Sequence, residues 1–264
     1  SSFFKNAISL KLECKMAFIA ILMLNILLAV INTIDIQWLW FNFQQESIEN
    51  LSQFVHEGTY LLIGSILLSM AIMLYTFRRN LNFYPGNHKL KILIYLWIFQ
   101  NAILAISVGI RNYHYINEFG LAYKRIGVII FLLITIGGLV TLIFKIKNRY
   151  SSFYLWRSNA WIVYLALVFF SMFDWDHLIT KYNLEYHGKN IDWQFLLSMS
   201  DKTLPVLVKN EELIPVNQQH WIKETLELKK LNLIEKIENT SLFSWNYADY
   251  VAWKETKDKN FKLP

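Results

Sequence analysis

The sequence carries a single cysteine, Cys14, in 264 residues. That excludes an intramolecular disulfide framework and any CxxC metal or redox site. Glycine and proline are sparse, at 9 and 4 residues, and no glycine-rich phosphate loop is present. No Gly-x-Ser-x-Gly elbow occurs, and His56-Glu57 lacks the second histidine of a zinc-protease helix. Alternating strand patterns and heptad repeats are missing too. Charge is scarce: 17% of residues are Asp, Glu, Lys or Arg, against roughly a quarter in soluble domains. These absences remove most catalytic templates.

Apolar surface is what the chain has in quantity, at 55% hydrophobic residues. The runs 16–34, 59–77, 92–110 and 126–144 contain no charged residue. Each is long enough to cross about 30 Å of hydrocarbon as a helix. A fifth run, 158–173, is shorter; Tyr154 and Trp156 extend it to 154–173, with Arg157 snorkelling to the interface. Residues 16–34 are too long for a signal-peptide core and read as a retained span. The chain opens Ser-Ser-Phe-Phe, so processing or an upstream segment is expected before residue 1. Aromatic residues gather after the first and last runs, at Trp38, Trp40, Phe41, Phe43 and Trp175, where interfaces belong.

Charge sets the expected orientation. Residues 1–15, the connection after the second run and the connection after the fourth hold 11 Lys and Arg; residues 35–58 and 111–125 hold 3. By the positive-inside rule the N-terminus is inside and the C-terminal residues are outside. The predicted fold is an all-α membrane protein with five transmembrane helices. It comprises a cytoplasmic segment or loop (1–15), a membrane domain (16–173) and a small helical extracytoplasmic domain (174–264). Residues 1–173 are basic by eight and residues 174–264 acidic by two, for a net +6; the excess cations sit at helix ends of the membrane half, so nucleic acid is not an expected partner.

Inside the spans no ionisable residue lies at mid-depth, which argues against a proton-coupled pump. Asn25, Asn32, Gln100 and Asn101 read as interhelical hydrogen-bonding groups, and Ser65, Ser69 and Gly137-Gly138 as close-packing positions. In the tail, 176–184 suits a helix ending near Gly188. Asp192 suits an N-cap, Asp201 a second cap with Pro205 early in its helix, and 247–253 a last helix. Residues 217–238 are amphipathic, with Trp221, Ile222, Leu226, Ile234 and Ile237 expected inward.

The candidate site is the connection Arg111–Arg125. Arg111 is expected to end one helix and Arg125 to begin the next, with Gly120 reversing the chain. Two arginines on the outer side break the charge pattern. Two readings are open: an anion or lipid head-group site of Arg111, Tyr115 and Arg125, or a brace to Glu57, Glu118, Asp174 or Asp176. Asp174-Trp-Asp-His177, with His114, is a loose metal spacing that capping by Asp176 explains as well. No metal and no cofactor are expected.

Glu57-Gly58, the 107–125 stretch, Asp-His-Leu-Ile-Thr-Lys-Tyr-Asn-Leu at 176–184, and Ser244-Trp-Asn-Tyr with Ala252 together resemble a bacterial multi-pass membrane family of the DUF4153/DUF4173 type. The likeness runs over about residues 25–253. Its best motif, Arg-x3-Tyr-Ile-x3-Gly-Leu-x3-Arg, is matched by Arg111, Tyr115, Ile116, Gly120, Leu121 and Arg125; Phe119 and Ala122 stand where the family pattern has Tyr and Thr. The resemblance implies a bacterial cytoplasmic (inner) membrane location, with further spans upstream, and supplies no activity. The expected function is a non-enzymatic scaffold or sensor working through the outward domain, with membrane lipids and another membrane or envelope protein as partners. The alternatives are a lipid- or envelope-precursor-handling protein using the arginine pair, or a transporter.

Overall fold

A chain in hydrocarbon must satisfy its own backbone N–H and C=O groups, and a helix does so locally. The long apolar runs accordingly form helices in the computed structural model, which describes residues 2–37, 63–64, 67–68, 88–186, 191–241 and 245–258. They are α1 (Ser2–Asp35), α2 (His88–Phe119), α3 (Tyr123–Asn148) and α4 (Ser152–Ser171). Among the described residues, four segments are long and apolar enough to cross a membrane: Lys11–Asp35, His88–Phe119, Tyr123–Asn148 and Ser152–Ser171. The expected span at 59–77 lies outside the described residues but for 63–64 and 67–68, which are helical.

The chain divides into two compact units. One is Ser1–Glu118 with Lys124–Phe170; the other is Ser171–Pro264 with the five residues Phe119–Tyr123. In the first unit, Ile21, Leu28, Ile94, Trp97 and Leu104 build the core. A polar seam fixes the register of α1 against α2. Asn25 Nδ2 donates to Leu93 O at 3.1 Å, Asn32 Nδ2 donates to Gln100 O at 3.1 Å, and Gln100 Nε2 donates to Asn25 Oδ1 at 2.8 Å. These are the interhelical bonds expected of Asn25, Asn32 and Gln100; Asn101 instead donates within its own helix, to Trp97 O. The partners, including Asp35 with Arg111, are separated by 68 to 76 residues. A nearly constant offset means that α1 and α2 run parallel.

The α3–α4 hairpin is tight. Arg149 takes a left-handed φ of 56° and Tyr150 N–H returns to Lys145 O at 3.0 Å, closing the helix end. A Cβ on Gly137 would meet Ile162 at 3.3 Å, so this position does let the helices approach closely. On α4 only Leu155 is buried, and the helix turns Trp161, Leu165 and Phe169 outward.

The second unit contains α5 (Trp175–Tyr186), α6 (Trp193–Leu197), α7 (Leu204–Lys209), α8 (Gln219–Glu238) and α9 (Tyr247–Asp258), with short 3₁₀ turns between. Its core is Trp193, Leu196, Leu204, Leu207, Ile222 and Leu226. Asp192 caps α6 as expected, its Oδ1 accepting from Phe195 N–H at 2.9 Å. Asp201 does not act as a side-chain cap for the 3₁₀ turn it opens. Its carboxylate takes Lys229 Nζ at 3.1 Å instead, because that ammonium is buried and needs a counter-ion.

The buried face of α8 also differs from expectation. Ile222, Leu226, Lys229 and Leu233 point inward, spaced four, three and four residues apart. Trp221 is one residue off that stripe, rotated by about 100°, and is 43% exposed. Ile234 and Ile237 are only partly buried.

Candidate functional site

Residues 111–119 contain neither proline nor glycine, and nothing there stops a helix. α2 accordingly continues to Phe119. Arg111 therefore lies eight residues, or about 12 Å, before the helix end rather than at it. The true turn is Gly120-Leu121-Ala122, with Gly120 at φ +78°, a left-handed conformation that suits a helix C-terminus.

Arg111 and Tyr115 are one helical turn apart and share a face of α2. Arg111 Nη2 makes an ion pair with Asp35 Oδ1, and both side chains are 7% exposed. Arg125, in the first turn of α3, lays its guanidinium over the Tyr115 ring at 4.3 Å from the centroid. Asn112 Nδ2 donates to Arg125 O at 3.1 Å, tying the two helices beside that contact. The two arginines thus have different partners: a carboxylate for Arg111 and an aromatic face for Arg125. Asp35 was not among the expected partners. The sequence signal that points to it is an acid placed directly after an apolar run, at the level where α1 must leave the hydrocarbon. Of the expected carboxylates, Glu57 lies outside the described residues and Glu118 sits in the last turn of α2.

Asp174 and Asp176 are clamped by one lysine. Lys202 Nζ lies 2.9 Å from Asp174 Oδ1 and 3.3 Å from Asp176 Oδ2. Burial alone pulls the ammonium toward its neutral form, but the hydrogen bonds and charges of the two aspartates outweigh it and hold the Lys202 pKa above the ordinary lysine value. Asp174, not Asp176, caps α5, accepting from His177 N–H at 3.2 Å. The reason is position: Asp174 immediately precedes the helix, whereas Asp176 is already in its first turn. Tyr123 hydroxyl donates to Asp176. Among the described residues no group of three or more His, Cys, Asp or Glu is arranged to hold a metal.

The turn itself is gripped by Asn183. Leu121 N–H donates to Asn183 Oδ1 at 2.6 Å, and Asn183 Nδ2 donates to Leu121 O at 2.9 Å. The amide thus pairs with one residue's backbone as a neighbouring strand would. The fit leaves no space at Gly120, where a Cβ would fall 2.3 Å from Asn183 Oδ1. The Gly-Leu of one motif and the Asn of the other, 62 residues apart, are therefore two halves of one contact.

No curated protein and no solved structure matches this chain. A family model described as "Domain of unknown function (DUF4153)" does match, over residues 4–210. The match takes in α1 to α7, the arginine motif and the 176–184 motif, whereas Ser244-Trp-Asn-Tyr and Ala252 lie beyond it. On that match, and with its apolar helices, the chain belongs to the DUF4153 family and is a helical membrane protein.

Proposed function

We propose that this chain is a non-enzymatic multi-pass component of the bacterial cytoplasmic membrane, a scaffold or sensor that works through its C-terminal helical unit. The observation that carries the reading is the grip on the α2–α3 turn. Phe119–Tyr123 belong to the C-terminal unit, bound there by Asn183 and Asp176. The residues that join α2 to α3 along the chain are thus built into the C-terminal unit, so a change within that unit acts on the connection between the two helices. A buried ion pair and a stacked guanidinium occupy the arginines in bracing the helices, which supports a structural role for them over head-group capture.

The proposed topology has five spans, the N-terminus inside and the C-terminal unit outside. The parallel course of α1 and α2 supports it, because two parallel neighbours that both cross require a return crossing within residues 38–87. Reporter fusions after Phe173 test the orientation: an active phosphatase and a dark fluorescent protein are expected, and the opposite pattern overturns it. Purification in native lipid tests the role. A stoichiometric protein partner that is lost on Asn183→Ala is expected. A retained anionic lipid that Arg111→Lys releases, with no protein partner, would instead make the turn a lipid-handling site.

A further inference from the structure

Helix α8 has an outer stripe that its core packing does not use. Trp221, Glu224, Leu228, Leu231, Glu235 and Glu238 follow one another at steps of three and four residues, which places them along one side of a helix. The stripe is about 27 Å long. Trp221, Leu228 and Leu231 are 43%, 56% and 62% exposed, and all three glutamates are exposed as well. Glu227, one position from Leu228, is exposed at its border. The inward stripe of Ile222, Leu226, Lys229 and Leu233 lies on another side of the same helix. α8 therefore carries two apolar stripes, and among the described residues only the inner one is packed against its own domain.

The charges beside the outer stripe decide what can cover it. Lys229 is turned inward to Asp201, and Lys236 is paired with Asp249 at 2.6 Å. Lys223 and Lys230, both half-buried, stand at helical spacing from Glu227 alone, which leaves Glu224, Glu235 and Glu238 with no lysine or arginine three or four residues away on the helix. An anionic membrane surface repels such a face. A second copy of this chain would set glutamate against glutamate: in an antiparallel pairing Glu224 meets Glu235, and in a parallel one each meets itself. A helix with a leucine stripe bordered by lysines satisfies both features, filling the apolar positions and pairing the acids.

We infer that the Trp221–Glu238 stripe of α8 docks a cationic amphipathic helix of a partner protein. The inference rests on the reading of the C-terminal unit as a partner-binding domain and names the face it would use.

The test uses the full chain in nanodiscs of neutral lipid. The probe is a synthetic helix with leucines at three- and four-residue spacing and lysine flanks; a version with glutamate flanks and anionic vesicles are the comparisons. The lysine helix should bind, and raised salt should weaken it. Leu228→Asp with Leu231→Asp should weaken it tenfold or more; both side chains are exposed, so the fold is kept. Glu224→Lys with Glu235→Lys should reverse the preference toward the glutamate helix. Equal binding of both helices, or binding indifferent to these variants, overturns the proposal. So does stripe-dependent binding to anionic vesicles in place of the lysine helix, which would make the stripe a membrane contact. If a partner co-purifies and the stripe variants retain it, the scaffold reading stands and this face is wrong. If the stripe binds the lysine helix as described but no protein co-purifies from the membrane, the face stands and the scaffold reading fails.

Discussion

The Arg111–Asp35 pair of the first unit and the Lys202 and Lys236 pairs of the second neutralise charge in different surroundings. In the first, Arg111 and Asp35 meet with only 7% of either side chain exposed, and the seam below them is built from neutral amides. In the second, Lys202 bridges Asp174 and Asp176 with side chains 14–31% exposed, and Lys236, 52% exposed, meets a buried Asp249. The chemistry is the same and the cost of breaking it is not. A charge stranded where water cannot reach carries its full desolvation penalty, while one near water recovers most of its hydration. The buried pair should therefore be fragile to single substitutions, and the wetter pairs tolerant of them.

The largest effect is expected at Asp35. Asp35→Ala leaves the Arg111 charge without its carboxylate and should destabilise the first unit by about 3–5 kcal/mol. Removing both charges, as Asp35→Leu with Arg111→Met, should recover most of that loss, because two apolar side chains need no counter-ion. Unfolding of the purified chain in mixed micelles measures both. If the single variant costs less than about 1 kcal/mol, water reaches the pair and the contrast between the units collapses.

Next in size is the Asn183 grip. Gly120→Ala forces a Cβ into a left-handed position, at about 1–2 kcal/mol, and against Asn183 Oδ1 as well. Asn183→Ala removes two hydrogen bonds and should cost about 1–3 kcal/mol. The double variant should cost less than the two single ones combined, since the clash disappears with the amide. Additive costs would mean that the two residues do not interact.

A smaller effect attaches to Lys202. Replacing it with methionine should cost about 1 kcal/mol near neutral pH, as expected of a pair partly in contact with water. Its pKa is raised in the folded chain, so its stabilisation is fully present below the unfolded lysine value, about 10.4, and is lost as pH rises through the higher folded value. Wild type should lose its advantage over Lys202→Met across that alkaline window. An advantage that persists above it would place the stabilisation elsewhere.

How far the sequence could be read depended on whether a feature is local. The four described spans are written in contiguous apolar runs, and Asp192 caps a helix starting at the next residue; both signals lie within a few turns. The Arg111–Asp35 pair joins residues 76 apart, and only the parallel packing of two helices brings them level. A charge count assigns sides of a membrane but not neighbours, so the sequence pointed to Glu57, Glu118, Asp174 and Asp176. The arginine–tyrosine contact was half legible: the spacing of Arg111 and Tyr115 marks one helix face, but not that Arg125 would cover it. The Asn183 contact hid in plain view, because each half of it was visible as a motif with no sign that the two meet.

The smallest effect, at Trp221, separates the two faces of α8 that the sequence merged. Both Trp221 and Leu226 fit an amphipathic reading of 217–238, and hydrophobicity alone would place the larger residue inside. In the structure Leu226 is fully buried and Trp221 is 43% exposed. The inward stripe follows Ile222, Leu226, Lys229 and Leu233, and Trp221 falls outside it. Leu226→Ala should thus cost about 2–5 kcal/mol, from lost transfer energy and the cavity it opens. Trp221→Ala should change stability by no more than about 0.5 kcal/mol, as for a surface substitution. Protease resistance and thermal unfolding of the full chain report both. A Trp221→Ala loss as large as that of Leu226→Ala would turn α8 by about 100°, remove the outer stripe, and with it the surface proposed for a partner.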